Sequence, residues 1–316
     1  MSWLARRILV ALAQIWIVAT IVFLAIRLVP GNPAELLLSN GGVSPDPVAV
    51  AVLQEQLGLD RPVLAQYLSK FQGLLRGDLG RSLQDDEPVS AEILRRLPRT
   101  LELILLAALI GLALGIPAGT LAAVNLGGRF DRGASALVSL VLASPVFVLG
   151  AILALIFAQW LRWLPAGGYV PISQSPLRHL TLMIMPSLTI GLGLAAVVFR
   201  MTRASILDVI GRDFVRTARA KGVGPGSALR RHVLRNALLP VVTVAALQLG
   251  NLFGGTVLIE YVFNYPGLSG MLVNSVNARD YPSVEGVILV ISIMFVLLLL
   301  AVDLTYVLLD PRVKRR

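Results

Sequence analysis

Six apolar stretches, each long enough to cross a membrane as a helix, constrain this sequence more than any other feature. They occupy residues 8–29, 101–124, 134–160, 180–200, 238–259 and 284–309. A hydrocarbon core of ~30 Å takes about 20 residues of helix. The first stretch is too long for a cleaved signal peptide, so we expect it to stay as an anchor. With 56% hydrophobic and 15% charged residues, the chain is predicted to be an all-α integral membrane protein with six transmembrane helices.

Basic residues predict the orientation. Lys and Arg concentrate before the first stretch, between the second and third, throughout residues 200–235 and in the tail at 310–316. Because Lys and Arg accumulate on the cytoplasmic side of membrane proteins, both termini are predicted to be cytoplasmic. The net charge of +10 does not indicate nucleic-acid binding, since the charges flank apolar stretches and do not cover one soluble face.

The polar segment at 30–97 is predicted to be extracytoplasmic and helical. Apolar side chains recur at helical spacing between a start signal at Pro62 and a stop signal at Gly77. An earlier, shorter helix is predicted over residues 45–57, closed by Gly58. The segment either caps the outer ends of the membrane helices or docks an external protein.

Small residues recur at every fourth position along the second apolar stretch. They are Ala107, Gly111, Gly115, Gly119 and Ala123. A ridge of this kind lets another helix approach closely. We expect it to serve packing within the bundle or, alternatively, a contact between subunits.

Polar and bending residues inside the apolar stretches suggest a pathway. The more central polar residues are Gln14, Gln248 and Asn251, and each either bonds to another helix or contacts a substrate. Pro145 either makes an ordinary kink or marks a bend beside a pathway. The ionisable residues are expected near the ends of the spans, where their charges reach the interface. They are Arg27, Glu102, Glu260 and Asp303.

The sequence shows no pattern of catalysis. It has no Cys, and therefore no thiolate metal site or Cys nucleophile. It also lacks a G-x-x-x-x-G-K-[ST] phosphate loop and an H-E-x-x-H pair. GLSG at 267–270 matches the GxSG of intramembrane serine proteases, but no histidine follows His232, so a turn is expected there. We predict no catalytic residue, no metal site and no cofactor bound by the chain.

The basic segment at 213–240 is the longest polar interruption between the later apolar stretches. Asp213 is predicted to cap a short helix that ends at Gly222. Ser227 is predicted to cap a second helix that runs through Pro240 into the fifth stretch. A helix as short as the first is marginal in water, so packing must hold it. The segment is either gripped by another protein or bound to anionic lipid.

Part of this segment resembles a known family. FVRTARAKG at 214–222 is similar to the loop motif of the inner-membrane permease subunits of ATP-binding-cassette (ABC) importers, written Glu-Ala-Ala, three residues, then Gly. Ala218 and Gly222 match that motif. Arg216 and Thr217 depart from it, as is usual in the dipeptide, oligopeptide and nickel class. Further motifs similar to that class are PGNP at 30–33, LGLDRP at 57–62, GDLG at 77–80, LPRTLE at 97–102 and RNALLP at 235–240.

The resemblance implies the type I importer permease fold in a bacterial inner membrane. It divides the chain into a first helix with its cytoplasmic end at 1–29, a periplasmic helical segment at 30–97, a permease core at 98–309 with a cytoplasmic coupling loop at 201–237, and a basic tail at 310–316. The implied complex adds a second, homologous permease, two cytoplasmic ABC ATPases and a periplasmic solute-binding protein. ATP and Mg²⁺ would be used by the ATPases.

In such importers the loop carries a coupling helix that sits in a groove of one ATPase. The residues expected to make this contact are Asp213, Phe214, Arg216, Thr217, Ala218, Lys221 and Gly222. The implied solutes are dipeptides and oligopeptides, with nickel chelates, glutathione and oligosaccharides as alternatives. A secondary transporter or channel that acts alone is the rival interpretation.

Overall fold

The computed structural model describes residues 3–28, 35, 38, 46–56, 58 and 60–309. In this part of the chain the regular structure is helical, apart from an isolated bridge between Arg81 and Pro88. The helices are α1 (Trp3–Arg27), α2 (Pro47–Gln56), α3 (Val63–Leu75), α4 (Val89–Val124), α5 (Arg129–Ala143), α6 (Val146–Ala154), α7 (Pro176–Ile210), α8 (Asp213–Ala220), α9 (Pro225–Ala228), α10 (Arg235–Gly255), α11 (Val257–Val262), α12 (Leu268–Asn277) and α13 (Tyr281–Leu309). Two π-helical segments, Leu155–Trp160 and Leu229–Leu234, directly follow α6 and α9.

The chain divides into two compact units. The first comprises Met1–Pro98 with Gly267–Leu300, and the second comprises Arg99–Pro266 with Ala301–Arg316. The first unit buries a core formed by Val89, Ile93, Leu268, Met271 and Val287. The second unit contains three buried apolar clusters, and each of them includes side chains of α7. Helix α7 is therefore the central element of the second unit.

Five helices of the described chain are long and apolar enough to cross a membrane, within Ala5–Arg27, Val89–Val124, Pro176–Ile210, Pro225–Leu252 and Tyr281–Ala301. Helix α5 and the helix over Val146–Trp160 together qualify as a sixth span, but they meet at an angle of 107°. The apolar stretch at 134–160 is therefore broken at Pro145, where the sequence indicates a kink or a bend. Pro145 explains the break, because a proline drives the preceding residue out of the helical conformation. Ser144 is accordingly extended, with φ −92° and ψ 135°.

Several helices extend beyond the apolar stretches. Helix α4 begins at Val89 and not near residue 101, and α7 exceeds the predicted stretch at both ends. Hydropathy marks only the part of a helix that is compatible with lipid, whereas packing decides how far the helix continues. Helices α2 and α3 confirm the two helices predicted after α1, and Gly58 and Gly77 have the positive φ values of helix stops. The predicted limits at residues 45 and 57 lie outside the described residues.

Helices α4 and α7 approach closely along the ridge of small residues. A Cβ atom on Gly111 would lie 2.7 Å from the side chain of Leu194. One on Gly119 would lie 2.7 Å from the carbonyl oxygen of Phe199. Any side chain at these positions would push the two helices apart, so the glycines permit the observed spacing. The ridge therefore serves packing inside the second unit.

Candidate functional site

Helix α8 is fastened to the second unit by one side chain. Val215 is the buried residue of this eight-residue helix. It clusters with Ile206 and Val209 of α7 and with Val233 and Ala237 on the far side of the loop. Because so short a helix is marginal by itself, this apolar contact is what holds α8 in place.

The predicted coupling residues lie on α8 and the turn after it, and they face outward. Phe214 has 42% of its surface exposed, while Ala218 is half-buried. The other predicted coupling residues, all exposed, are Asp213, Arg216, Thr217, Lys221 and Gly222. The seven residues therefore lie together on α8 and on the turn that follows it, and we call this region the α8 surface.

Asp213 does not cap α8. Arg212 occupies the N-cap position with φ −71° and ψ 150°, and no side chain makes a capping hydrogen bond. Asp213 is instead in the first turn, where a negative charge interacts favourably with the helix dipole. The prediction of an Asp213 cap is wrong by one position, since an acidic residue suits both the cap and the first turn.

Gly222 ends α8 in the way that the sequence predicts. Its φ of 84° is in the left-handed region that glycine adopts readily. The Gly222 N–H donates to the Arg219 carbonyl at 3.0 Å, and the Val223 N–H donates to the Ala218 carbonyl at 3.2 Å. This pair of bonds is a Schellman motif, which satisfies carbonyls that the helix end leaves without partners.

The helix after α8 begins at Pro225 and not at Ser227. Gly224 is the N-cap residue, with φ −62° and ψ 152°, and Ser227 lies inside the helix. Proline is favoured in the first turn, because it has no N–H to leave unbonded and its φ suits a helix. From Pro225 the helix runs through the π-helical segment into α10, which confirms the predicted passage through Pro240 into the fifth span.

Polar contacts tie α7 to its neighbours close to α8. The Ser205 hydroxyl donates to the Ala237 carbonyl of α10 at 2.7 Å. Two guanidinium nitrogens of Arg203 donate to the two carboxylate oxygens of Asp131 at 2.7 and 2.9 Å, and the Gly127 N–H donates to the same carboxylate at 2.9 Å. This pair is not predictable from the sequence, in which Arg203 is one of many basic residues that indicate the orientation. The one local sign of the pair in the sequence is Asp131 itself, an acidic residue in the first turn of α5.

Two of the three predicted pathway residues lie on α10, and the third lies at the start of α6. The Asn251 amide nitrogen donates to the Gln248 amide oxygen at 3.1 Å along α10. Asn251 is exposed and Gln248 is half-buried. Pro145 is exposed at the 107° bend, as the N-cap residue of α6. The hydrogen bond between the two amides lies within one helix and does not join two helices.

A polar network surrounds His179 in the first turn of α7. Its Nδ1 lies 2.7 Å from the Val170 carbonyl oxygen, and its Nε2 lies 2.7 Å from a carboxylate oxygen of Glu102. A carbonyl oxygen only accepts, so Nδ1 carries a hydrogen. The Tyr169 ring stands edge-on to His179 and to Tyr265, with centroids 5.6 and 5.5 Å apart. These contacts join α4, the loop before α7 and the residues after α11.

The structure shows the surroundings of three of the four ionisable residues that are expected near span ends. Glu102 lies well inside α4 and bonds to His179. Glu260 is 1% exposed and accepts a hydrogen bond from the Thr100 hydroxyl at 3.1 Å. Arg27 is the last residue of α1, as expected. The side chain of Asp303 lies outside the described part of the structure.

The residues that the structure describes include those considered for a metal site and for a protease site. Among them, no group of three or more His, Asp or Glu side chains is arranged to hold a metal ion. Ser269 is buried in the first turn of α12, so the GLSG sequence opens a helix and is not simply a turn. Both ring nitrogens of His179 are engaged by Val170 and Glu102.

Comparison with known families covers nearly the whole chain. Residues 115–315 match the family described as "Binding-protein-dependent transport system inner membrane component". Residues 1–104 match the corresponding N-terminal family of membrane components of these transport systems.

Full-length relatives are similar to this chain. It is 38% identical over 314 residues to the "Glutathione transport system permease protein GsiC" of Escherichia coli O6:H1, with 99% of both chains covered. It is 40% identical over 309 residues to a "Putative peptide transport system permease protein" of Brucella abortus (strain 2308), with 98% of both covered. It is 36% identical over 312 residues to a "Probable peptide ABC transporter permease protein" of Sinorhizobium fredii, with 99% of both covered.

The fold also has a solved counterpart. A chain of the inward-facing MetNI methionine ABC transporter superposes with a TM-score of 0.55 at 19% identity, covering 69% of this chain and 96% of that one. The chain thus has the type I importer permease fold. The family matches, the full-length relatives and this fold show that the chain belongs to the family of inner-membrane permease components of binding-protein-dependent ABC importers.

Proposed function

We propose that this permease forms half of a translocation pathway with a second, homologous permease, and that two partner ATPases drive it through the α8 surface. A periplasmic binding protein delivers the solute. Both termini and the loop at 201–237 then lie in the cytoplasm, and residues 30–97 lie on the periplasmic side. The chain itself is no enzyme and binds no cofactor; ATP and Mg²⁺ are used by the ATPases.

The exposure of α8 is the observation that carries this proposal. Because Val215 packs inward and holds the helix, most of its other side chains are exposed and a partner can contact them. Phe214 offers that partner an apolar contact, and the basic residues around it offer charge. Val215 packs with side chains of both α7 and α10. In the proposed coupling, Val215 passes a displacement of α8 to these two helices of the permease core, and coupling requires that the core has two arrangements.

For the solute we propose a small peptide, including glutathione, which is itself a peptide. Similar full-length relatives are named for glutathione and for peptide transport. The amide side chains of Gln248 and Asn251 can both donate and accept hydrogen bonds, as a peptide backbone requires. Nickel chelates and oligosaccharides have no comparable support among these relatives.

The coupling role is tested with Ala218→Glu in the complete importer, in membrane vesicles. The variant places bulk and charge at the half-buried centre of the α8 surface. We expect normal amounts of the chain in the membrane, but loss of solute uptake and of solute-stimulated ATP hydrolysis. Ala218→Ser, which stays small and neutral, is the matched control and retains both activities. Normal uptake with stimulated hydrolysis in Ala218→Glu would overturn the assignment.

The solute is tested separately by uptake of labelled glutathione and of a labelled dipeptide, with unlabelled oligosaccharide and nickel chelate as competitors. Competition among peptides alone supports the proposed class. Transport blocked by an oligosaccharide or a chelate contradicts it and leaves the coupling role standing. Transport by the chain without any ATPase would instead indicate a transporter that acts alone.

A further inference from the structure

Helix α3 has apolar side chains that no other part of the described chain covers. Leu64, Leu68 and Leu75 are separated by four and seven positions, so they share one narrow face of the helix. Their exposed fractions are 69%, 59% and 88%. We call these three residues the leucine stripe. An exposed apolar face on an ordered helix marks a surface that is covered in the working protein.

The opposite side of α3 is polar, so the helix is amphipathic. Its polar residues are Gln66, Ser69 and Lys70. Lys70 also forms an ion pair with Glu285 of α13, with 2.8 Å between Nζ and the carboxylate oxygen. Arg61 and Arg76 flank the helix and are exposed. This distribution, with an apolar stripe, a polar side and basic ends, is typical of helices that lie in a membrane interface.

Contacts with α1 show how far α3 lies from the C-terminal end of that membrane span. The Tyr67 hydroxyl is 2.9 Å from the Thr20 hydroxyl, and the Tyr67 ring stands edge-on to Phe23 at 5.2 Å. Thr20 precedes Arg27, the last residue of α1, by seven positions, which corresponds to about 10 Å along the helix. The aromatic side of α3 therefore lies beside a part of α1 that is inside the apolar span. Interfacial helices lie about 5–10 Å into the boundary between headgroups and acyl chains.

The leucine stripe is continuous with this contact. Phe71 is packed against Tyr67, with ring centroids 4.4 Å apart, and lies three positions from Leu68 on the same side of α3. On α1, Ile21 and Leu24 are 58% and 48% exposed. Those side chains belong to a membrane span of which 6% is buried. The stripe thus extends an apolar surface that the bilayer covers.

We propose that α3 is an interfacial helix whose leucine stripe is buried in the acyl chains of the leaflet at the C-terminal end of α1. Arg61 and Arg76 then reach the phosphate groups of the same leaflet. The segment after α1 is anchored in lipid on one side and polar on the other. This inference depends on the chain crossing a membrane and is independent of the coupling role of α8.

The chain contains no Cys, which permits a direct test by single-Cys spin labelling. Leu68→Cys and the matched control Ser69→Cys are labelled with a nitroxide in the assembled importer in lipid nanodiscs. Collisions with oxygen, which partitions into lipid, are compared with collisions with a water-soluble nickel chelate. We expect the Leu68 label to favour oxygen and the Ser69 label to favour the chelate, with and without the binding protein.

Two results would overturn the proposal. Equal access of the chelate to both labels would place the leucine stripe in water. Loss of access to both reagents at Leu68 would show that a protein, either the second permease or the binding protein, covers the stripe. Solute uptake by each variant checks assembly. If Leu68→Cys does not assemble, Leu64→Cys replaces it against the same Ser69→Cys control and is expected to give the same contrast.

Discussion

Arg203 of α7 binds both carboxylate oxygens of Asp131, which lies in the first turn of α5. The Asp131 side chain is 5% exposed, and that of Arg203 is 30% exposed. Two parallel hydrogen bonds determine the angle between the two groups as well as their separation. The start of α5 is therefore held in one orientation against α7.

Arg203→Lys should lower the melting temperature of the purified chain, and Arg203→Ala should lower it further. Lysine keeps the charge but cannot make the two parallel bonds, whereas alanine leaves Asp131 without its partner. Arg132→Ala removes an exposed neighbouring charge and should have little effect. Thermal unfolding in detergent measures all three variants. If Arg203→Lys has the melting temperature of the wild type, the two parallel hydrogen bonds do not contribute to stability.

Gly119→Ala should destabilise the second unit by about 1–3 kcal/mol, since it overpacks a tight contact. The new Cβ would meet the Phe199 carbonyl oxygen at 2.7 Å. Gly193→Ala in α7 is the matched control, because its Cβ would meet nothing within 4 Å. That control should be neutral or stabilising by up to about 1 kcal/mol through helix propensity. The same melting experiment compares the two, and equal effects would contradict the role of the ridge in packing.

Gly222→Ala should weaken the end of α8 by about 1 kcal/mol, because an alanine at a positive φ is strained. We expect the amides of Gly222 and Val223 to exchange hydrogen about fivefold faster. Gly226→Ala, within α9 and with open space around its Cβ, should not accelerate exchange. Hydrogen–deuterium exchange with mass spectrometry reads both variants. Unchanged exchange in Gly222→Ala would mean that packing, and not the Schellman motif, ends the helix.

Tyr265 should make stability fall at alkaline pH. Burial raises the pKa of Tyr265 above its ordinary value, and the nearby charges of Glu102 and Glu260 act in the same direction. The neutral form is therefore favoured in the folded chain, so its contribution is complete below about pH 10 and is lost as the pH rises above that value, where the unfolded chain ionises.

Tyr265→Phe tests this dependence. Its melting temperature should fall less steeply than that of the wild type between about pH 9 and pH 11. At neutral pH it should be less stable by about 1 kcal/mol, because the Tyr265 hydroxyl donates to the Arg99 carbonyl at 3.0 Å. Tyr261→Phe, at a position that is 79% exposed, is the control and should follow the wild type. Parallel curves for all three proteins would contradict the prediction.

Local signals explain what could be predicted from the sequence. The apolar stretches indicated the membrane helices, and the glycines at 77 and 222 indicated helix ends. The sharp bend at Pro145 was harder to predict from the sequence. Pro117 and Pro186 have the same apolar surroundings, yet they lie inside continuous helices. A proline weakens a helix wherever it occurs, but the packing around it decides whether the helix breaks.

Contacts between distant residues could not be predicted. The Asp131–Arg203 pair spans 72 positions, and neither residue differs in kind from a surface charge in the sequence. Glu260 is expected near a span end, but neither its burial nor its hydrogen bond with Thr100, 160 positions away, has a local sign in the sequence. Hydropathy describes each segment by itself. Such pairs become visible only when the helices are assembled.

The attachment of α8 through Val215 separates recognition from folding. The residues that face outward contribute little to the apolar cluster that holds the helix. They can therefore be exchanged for those of a relative while the bundle beneath keeps its packing. Under the coupling role proposed for α8, partner choice is a replaceable module, and we expect a chimaeric α8 to redirect the chain to a different ATPase without redesign of the membrane helices.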